Sequence, residues 1–411
     1  MYIVFIRYVT TLIFLVVFNA PVHASESASP EQAENNALLS DIVSMDAILN
    51  TKELFVSGYR GFLGKVQLSD SGAFFKKIQA PLSNDFLVIR SLSDDEAVIG
   101  TARGEIYLLS GEELKLIAAL SDFNEPILDI SVKGNDIWAV GPRGLIAQSI
   151  DRGKSWSIKE IEYVKKTITL KSHGAETWFL GVSNIDRDSF VFNATVDGKA
   201  VVDDEDYYLD TDSGSLEIVA PLDINSTLTL EFNYRPGPQF QAGDVSLNTV
   251  SHIADTVFIA GEFGTAIVLD DDGNWKSVYG STRQEEAVMP YWIESSVRGK
   301  NIVLVGAGGV ASMTSDGGDN WVEHNMKTDN GIFDVALSAN NTAIVAGAVG
   351  TVAMLKGAVW EVADRSDLNL IAWLKSVVIL GDNSYLVAGG RGSLVLYENK
   401  AWSKLNLRSM N

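Results

Sequence analysis

Ile137 to Trp156, IWAVGPRGLIAQSIDRGKSW, is the stretch that decides the fold. An apolar run ends on Gly141, a short turn carries Gly144, a second apolar run follows, and an S-x-D-x-G-x-x-W turn leads into Trp156. This reads as strand, tight turn, strand, tight turn, strand. Units of the same form recur, with their second glycines at Gly61, Gly104, Gly144, Gly264, Gly309, Gly350 and Gly392, stepping by 43, 40, 120, 45, 41 and 42 residues. A period of about 40 to 45 residues made of short strands marks a β-propeller blade.

Ahead of each glycine pair lies one more apolar run, for example ILDISV at 127–132, FDVALS at 333–338 and LKSVVIL at 374–380. Each unit therefore holds four strands, lettered A to D from the axis outward, and seven units are countable. Closing such a ring removes the open sheet edges, so the repeats should end on a whole number of blades. The glycines recur because the turn between strands B and C needs a positive φ or a close backbone approach. Trp156, Trp275, Trp321, Trp360 and Trp402 open strand D of their units, where they can pack over the neighbouring blade.

The step of 120 residues is out of line, and removing a foreign segment at 161–243 restores an ordinary blade step. The segment lacks the glycine pair. It carries the runs TITLKS, SFVFNATV, SLEIVAP and STLTLEFNY, divided by turn residues such as Asp197-Gly198 and Ser213-Gly214. It reads as a small β-sandwich-like domain, with Pro236, Gly237 and Pro238 at its exit. The expected fold is all-β: a seven-bladed β-propeller, blades 1–3 at 44–160 and blades 4–7 at 244–407, with an inserted small β domain between them.

Composition narrows the chemistry. The chain of 411 residues has no cysteine, so disulfides, thiolate nucleophiles and Cys-ligated zinc are excluded. His23, His173, His252 and His324 are scattered without metal-ligand spacing, and no nucleophile elbow, P-loop or HExxH motif occurs, so neither cofactor nor metal is expected. A net charge of −21 argues against nucleic acid and anionic membrane surfaces as general partners.

At the N-terminus, Arg7 precedes an apolar segment from Val9 to Phe18, and Val22-His23-Ala24 forms a small-residue cleavage site. Residues 1–24 read as a cleavable secretory signal, because the apolar run falls short of the ~20 residues of a spanning helix. The mature chain is expected in the periplasm or otherwise exported, with no direct membrane insertion. Residues 25–43 begin polar and read as a flexible leader, whose last stretch, Leu38 to Val43, can dock on the propeller as a short helix or extra strand.

Two turns carry a more specific signal: Ser149-Ile150-Asp151-Arg152-Gly153-Lys154-Ser155-Trp156 and Thr314-Ser315-Asp316-Gly317-Gly318-Asp319-Asn320-Trp321, with Asp270-Asp271-Asp272-Gly273-Asn274-Trp275 a shortened relative. Together with the V-G-x-x-G turns before them they resemble sialidase-type BNR repeats, or Asp boxes. The whole ring resembles the photosystem II stability and assembly-factor-like propellers, over roughly 44–160 and 244–407. The insertion, and the loss of Asp boxes from the last two blades, depart from that pattern. The resemblance implies an exported, non-enzymatic binding protein that helps a membrane complex assemble. The box itself reads as structural, its Asp satisfying turn amides while its Trp packs.

Arg60, Arg103, Arg143 and Arg391 stand immediately before the second glycine in blades 1, 2, 3 and 7, which are consecutive once the ring closes. Equivalent turns share one face, so the four should form an arc suited to carboxylates of an acidic partner segment. The resemblance points the same way, since arginines in these turns look like the patch on which such propellers dock partners. The competing reading pairs each arginine with an acidic loop of its neighbour. A second set, Asp46, Arg90, Asp129, Glu294, Asp334 and Lys375, is expected at similar positions of six A strands, lining a wet central channel with ion pairs. Asp203, Asp204, Glu205, Asp206, Asp210 and Asp212 form an acidic run without full EF-hand spacing, which reads as a solvated loop rather than a calcium site.

The alternative function is a glycoside hydrolase of sialidase type. It requires an arginine triad, a Tyr–Glu nucleophile pair and an acid/base aspartate, usually with an early F/Y-R-I-P segment that is absent here. Arg60, Arg103 and Arg143 at equivalent turns would form an arc rather than a converging clamp.

Overall fold

A computed structural model of the chain describes residues 39–49, 51–172, 177–196, 199–200, 207–218, 226–237, 245–270, 272–278, 289–357, 359–363, 368 and 370–410. Seven antiparallel sheets, each in the spatial order A, B, C, D, occupy 42–77, 86–119, 129–158, 247–277, 292–325, 332–362 and 374–405. Their A strands stand side by side around an axis, and strand A of blade 7 (Leu374–Gly381) packs against strand A of blade 1 (Ile42–Ala47), closing the ring. The chain is a seven-bladed β-propeller with a small β domain inserted between blades 3 and 4.

Seven apolar cores hold the ring, one at each blade interface. Phe55 and Leu63 of blade 1 pack with Phe86, Ile99 and Leu109 of blade 2. The same arrangement returns to the start, where Val378, Leu386 and Leu394 of blade 7 meet Ile42, Leu54 and Val66 of blade 1. Alternation along each strand sends one set of side chains to the preceding blade and the other to the following one, so both faces of every sheet are apolar.

Two boundaries differ from the sequence reading. Ile42 and Val43, read as leader, open strand A of blade 1 because both are buried in the ring. Leu407, read as the end of blade 7, belongs to a fifth strand, Leu407–Ser409, which pairs in parallel with strand D of blade 1 (Gly72–Lys77). Its buried side chain joins the core between blades 7 and 1, so the end of the chain fastens the last blade to the first. The signal segment 1–24 lies outside the described residues.

The Asp-box turns follow from hydrogen-bond supply. Asp151 accepts from the Ser155 amide at 2.8 Å, the Ser155 hydroxyl at 2.6 Å and the Ser149 hydroxyl at 2.8 Å. Asp316 does the same for Thr314 and Asn320. Each turn also presents a glycine carbonyl to the indole it precedes: Trp156 Nε1 donates to Gly153 at 3.1 Å and Trp321 Nε1 to Gly318 at 2.9 Å. The box thus lets a tryptophan lean on the preceding blade with its polar atom satisfied. Trp360 of blade 6, which has no box, is buried with its Nε1 unpartnered.

The insertion folds as two facing sheets. One holds Val164–Lys171, Thr227–Tyr234, Val191–Val196 and Lys199–Ala200, the other Thr177–Phe179, Ser215–Ile218 and Tyr207–Asp210. Ile168, Leu230 and Phe232 of the first meet Leu209 and Leu216 of the second in a separate core. Ile161, read as the first residue of the insertion, is buried between blades 3 and 4, so the new sheet begins three residues later. The expected Asp197-Gly198 turn lies outside the described residues.

Candidate partner-docking face

The turns between strands B and C share one face with the connections from strand D to the next strand A, and hydrogen bonds join the two sets. The amides of Gly61, Gly144, Gly264 and Gly392 donate to carbonyls of Asn84, Val245, Pro290 and Ser40, each in the connection leading to the next blade. Close contact explains both glycines of the motif. A Cβ at Gly58 would lie 2.0 Å from the Asp41 carbonyl oxygen. Gly61 has a φ of +71° and would meet the Pro81 carbonyl at 2.7 Å.

The four arginines ride on these turns, and all are exposed. Arg60, Arg143 and Arg391 adopt left-handed φ values of 56°, 57° and 56°. The Arg60 amide donates to Asp85 Oδ1 and the Arg391 amide to Asp41 Oδ1, both at 2.8 Å, so these aspartates hold the turns. Blade 2 is built differently: by register Thr101, not Gly100, is equivalent to Gly58, and its hydroxyl accepts from the amides of Arg103 and Glu105. Among the described residues only Arg143 fits the competing reading, at 3.6 Å from Glu125 and over the ring of Phe123. No ion pair engages the guanidinium of Arg60, Arg103 or Arg391 among the described residues.

Sequence reasoning missed the apolar half of this face. Leu39, Leu82, Phe123, Met289 and Ile371 in the D-to-A connections, and Tyr59, Phe263 and Val349 in the B-to-C turns, are large and exposed. The signal was present as apolar residues inside turn clusters, such as Pro81-Leu82-Ser83-Asn84 and Asp122-Phe123-Asn124, where no strand can bury them.

The channel set is at three levels of the sheet rather than one. Asp129, Glu294 and Asp334 are equivalent in register, Asp46 and Arg90 lie two residues further along their strands, and Lys375 is the extra residue of a bulge. Six of the seven A strands carry such a bulge, which no residue spacing reveals. Adjacent A strands belong to separate sheets and share no backbone ladder, so side chains take the inward amides. Ser44 accepts from Ile89, Asp129 from Val250, Thr249 from Ser295, Asp334 from Val377 and Ser376 from Met45, each reaching to the following blade. Between blades 5 and 6, Ser296 does this for Leu337. Between blades 2 and 3 the link is an ion pair, Arg90 Nη2 to Asp129 Oδ1 at 2.7 Å.

Charge in this cavity of about 590 Å³ is shifted by enclosure. Burial pushes Asp334 up to about 7, against the amides of Val377 and Val335 and the charge of Arg90. Burial, with Asp129 and Asp334 adding, raises Glu294 well above the carboxylate range. Asp129 is raised by burial despite Arg90. Lys375 is lowered by desolvation against the pull of Glu294 and Asp334.

The insertion flanks the arc. A cleft of about 430 Å³ beside blade 3 is lined by Phe123, Glu125 and Arg143 of the ring and by Arg235 at the insertion's exit. Of the acidic run, 203–206 lie outside the described residues, and Asp210 caps a turn by accepting from Asp212 and Ser213. No group of three metal-ligating side chains occurs among the described residues.

No protein-family model matches the chain, and no curated protein matches its sequence. Among solved structures it is similar to YCF48 bound to a D1 peptide, with a TM-score of 0.54 at 11% identity over 88% of this chain and 92% of that one. The chain shares the β-propeller fold of that structure. YCF48 from Cyanidioschyzon merolae aligns with a TM-score of 0.54 at 15% identity, over 88% and 96% of the two chains. The WD40 propeller domain of Doa1 aligns at 0.52 and 9% identity, over 89% and 97%. At these identities the fold is what the proteins share.

Proposed function

We propose that this chain is an exported, non-enzymatic binding protein that docks an acidic segment of a partner protein on the face bearing Arg60, Arg103, Arg143 and Arg391. One observation carries the reading. Three guanidiniums from successive blades 7, 1 and 2 are exposed and have no ion pair among the described residues, while the neighbouring Asp41 and Asp85 each accept a turn amide. Holding Arg60, Arg143 and Arg391 in left-handed conformations costs about 1 kcal/mol each relative to glycine, which favours a use for those side chains. The solved YCF48 structure with a D1 peptide supports a peptide-binding role for the fold.

The partner suggested by the resemblance is a subunit of a membrane complex, meeting this face through an exported loop or tail. Export rests on the N-terminal segment 1–24. A non-enzymatic role is favoured by the channel, where Asp129 and Asp334 are taken up by backbone amides that link blades. The test is affinity capture from an envelope extract with the wild-type ring and an Arg60→Gln/Arg103→Gln/Arg143→Gln/Arg391→Gln variant. The variant should fold normally and lose the captured protein. Unfolding of the variant would assign the arginines to inter-blade contacts, and unchanged capture would place the docking surface elsewhere.

A further inference from the structure

We infer that the seam where blade 7 meets blade 1 is the anchor of this face, and that its ligand is a peptide segment placing a large apolar side chain beside a carboxylate. The inference rests on the docking reading above and specifies the ligand for it. At the seam the ring of Tyr59, in the turn of blade 1, packs edge-on against Trp373, which leads into blade 7, with centroids 6.5 Å apart. Ile371, two residues before Trp373, is 78% exposed, and Leu39 and Leu82 are exposed to a similar degree.

The cations are attached to the same framework. Gly390, beside Arg391, rests on the Trp373 indole, where an added Cβ would lie 2.9 Å from the ring. Gly392, on the other side of Arg391, donates to Ser40, the neighbour of Leu39. Gly61, after Arg60, lies against Pro81 and Leu82. Arg60 and Arg391 therefore flank an aromatic and aliphatic platform. Tyr, Trp and Arg are the residue types that dominate binding energy at protein interfaces, and an apolar anchor that excludes water strengthens the charged contacts beside it. A purely acidic ligand would leave the platform wet, and a purely apolar one would cover guanidiniums that have no ion pair among the described residues, so each part of the surface calls for one half of the ligand. The exposed guanidiniums supply the local positive charge that a carboxylate ligand needs on a chain whose net charge is −21.

The test is selection of a phage-displayed library of random 12-residue peptides on the full chain, followed by affinities of the enriched peptides as synthetic probes. Enriched sequences should carry Leu, Ile, Phe or Trp within two positions of Asp or Glu. Binding should weaken at least about tenfold both in Ile371→Ser and in Arg60→Gln/Arg391→Gln, each with an unchanged melting temperature. Tyr59→Ser is a third probe, read only if it melts normally. Acidic peptides without an apolar residue that bind Ile371→Ser as well as the wild type would overturn this inference and leave the arginine reading standing. Apolar peptides indifferent to the arginine substitutions would overturn the arginine reading, and no enrichment would overturn both. Self-association of the chain abolished by Ile371→Ser would put a second copy on the seam and also contradict the peptide inference.

Discussion

Arg90 and Asp129 form an ion pair at 2.7 Å across the interface of blades 2 and 3, where a hydrogen bond from a backbone amide would otherwise be found. Val88 occupies the register position that holds Ser44 in blade 1 and Ser376 in blade 7, and it has nothing with which to accept an amide. The ion pair substitutes for the missing link. Asp129 is buried, so Arg90→Met leaves an uncompensated carboxylate and should cost about 3 kcal/mol, the low end for a buried pair because the amides of Ile130 and Val250 remain. Arg90→Met/Asp129→Ser keeps an acceptor for Val250 without the charge, and should recover most of that loss in urea unfolding. Equal loss in both variants would show that the charge is not what matters.

Stability should fall as the pH rises from about 5 to about 7. Asp334 titrates near 3.8 when unfolded and is raised to about 7 in the ring, and Glu294 moves in the same direction, so the folded state binds more protons in that window. Their contribution is complete below the unfolded values and lost as the pH passes the folded ones. Asp151 works oppositely, lowered to about 2 first by the Ser155 hydroxyl, so its contribution is lost only in strong acid. Melting temperature should therefore peak near pH 4 to 5 and decline toward pH 8. Asp334→Asn should flatten that decline, and an unchanged slope would remove Asp334 as its source.

Two tryptophans separate packing from hydrogen bonding. Both Trp321 and Trp360 are buried on the preceding blade, but only Trp321 has its indole nitrogen satisfied by a box carbonyl. Trp321→Phe removes a hydrogen bond as well as volume, whereas Trp360→Phe removes an unsatisfied donor. Trp321→Phe should be the more destabilising by about 1 kcal/mol in chemical denaturation. The reverse order would mean that the Asp box does not stabilise the fold through the indole.

Glycines of the repeat should differ from glycines outside it. Gly61 and Gly111 both have positive φ, but nothing lies within 4 Å of a Cβ at Gly111. Gly111→Ala should cost about 1 kcal/mol of backbone strain, and Gly61→Ala clearly more because Pro81 must also move. Similar melting temperatures for the two would contradict the close-approach account of the motif.

The ring was legible because one physical requirement repeats in every blade: a B-to-C turn pressed against the next connection, which admits only glycine at its second key position. The A strands were harder to read, since a bulge shifts register by one residue and placed Lys375 with Asp334 in the sequence but not in the sheet. Thr101 shows the same limit, because at the register position of Gly58 its hydroxyl accepts from the turn amides of Arg103 and Glu105. In the insertion the strands Thr177–Phe179 and Tyr207–Asp210 are too short to show alternation. The arginines of the docking face were visible as a pattern, but the capping of their turns by Asp85 and Asp41 is a contact between neighbouring blades that only the closed ring creates.

Photo-crosslinking resolved by face tests the central claim most directly. A benzophenone amino acid placed at exposed Ser83, in the connection between blades 1 and 2, reports on the arginine face, and one at exposed Ile150, in a C-to-D turn, reports on the opposite face. In an envelope extract the Ser83 probe should give a discrete partner adduct that disappears when Arg60, Arg103, Arg143 and Arg391 are all glutamine, while the Ile150 probe gives none. An adduct formed through Ile150 alone, or a Ser83 adduct unaffected by the arginine substitutions, would contradict the account.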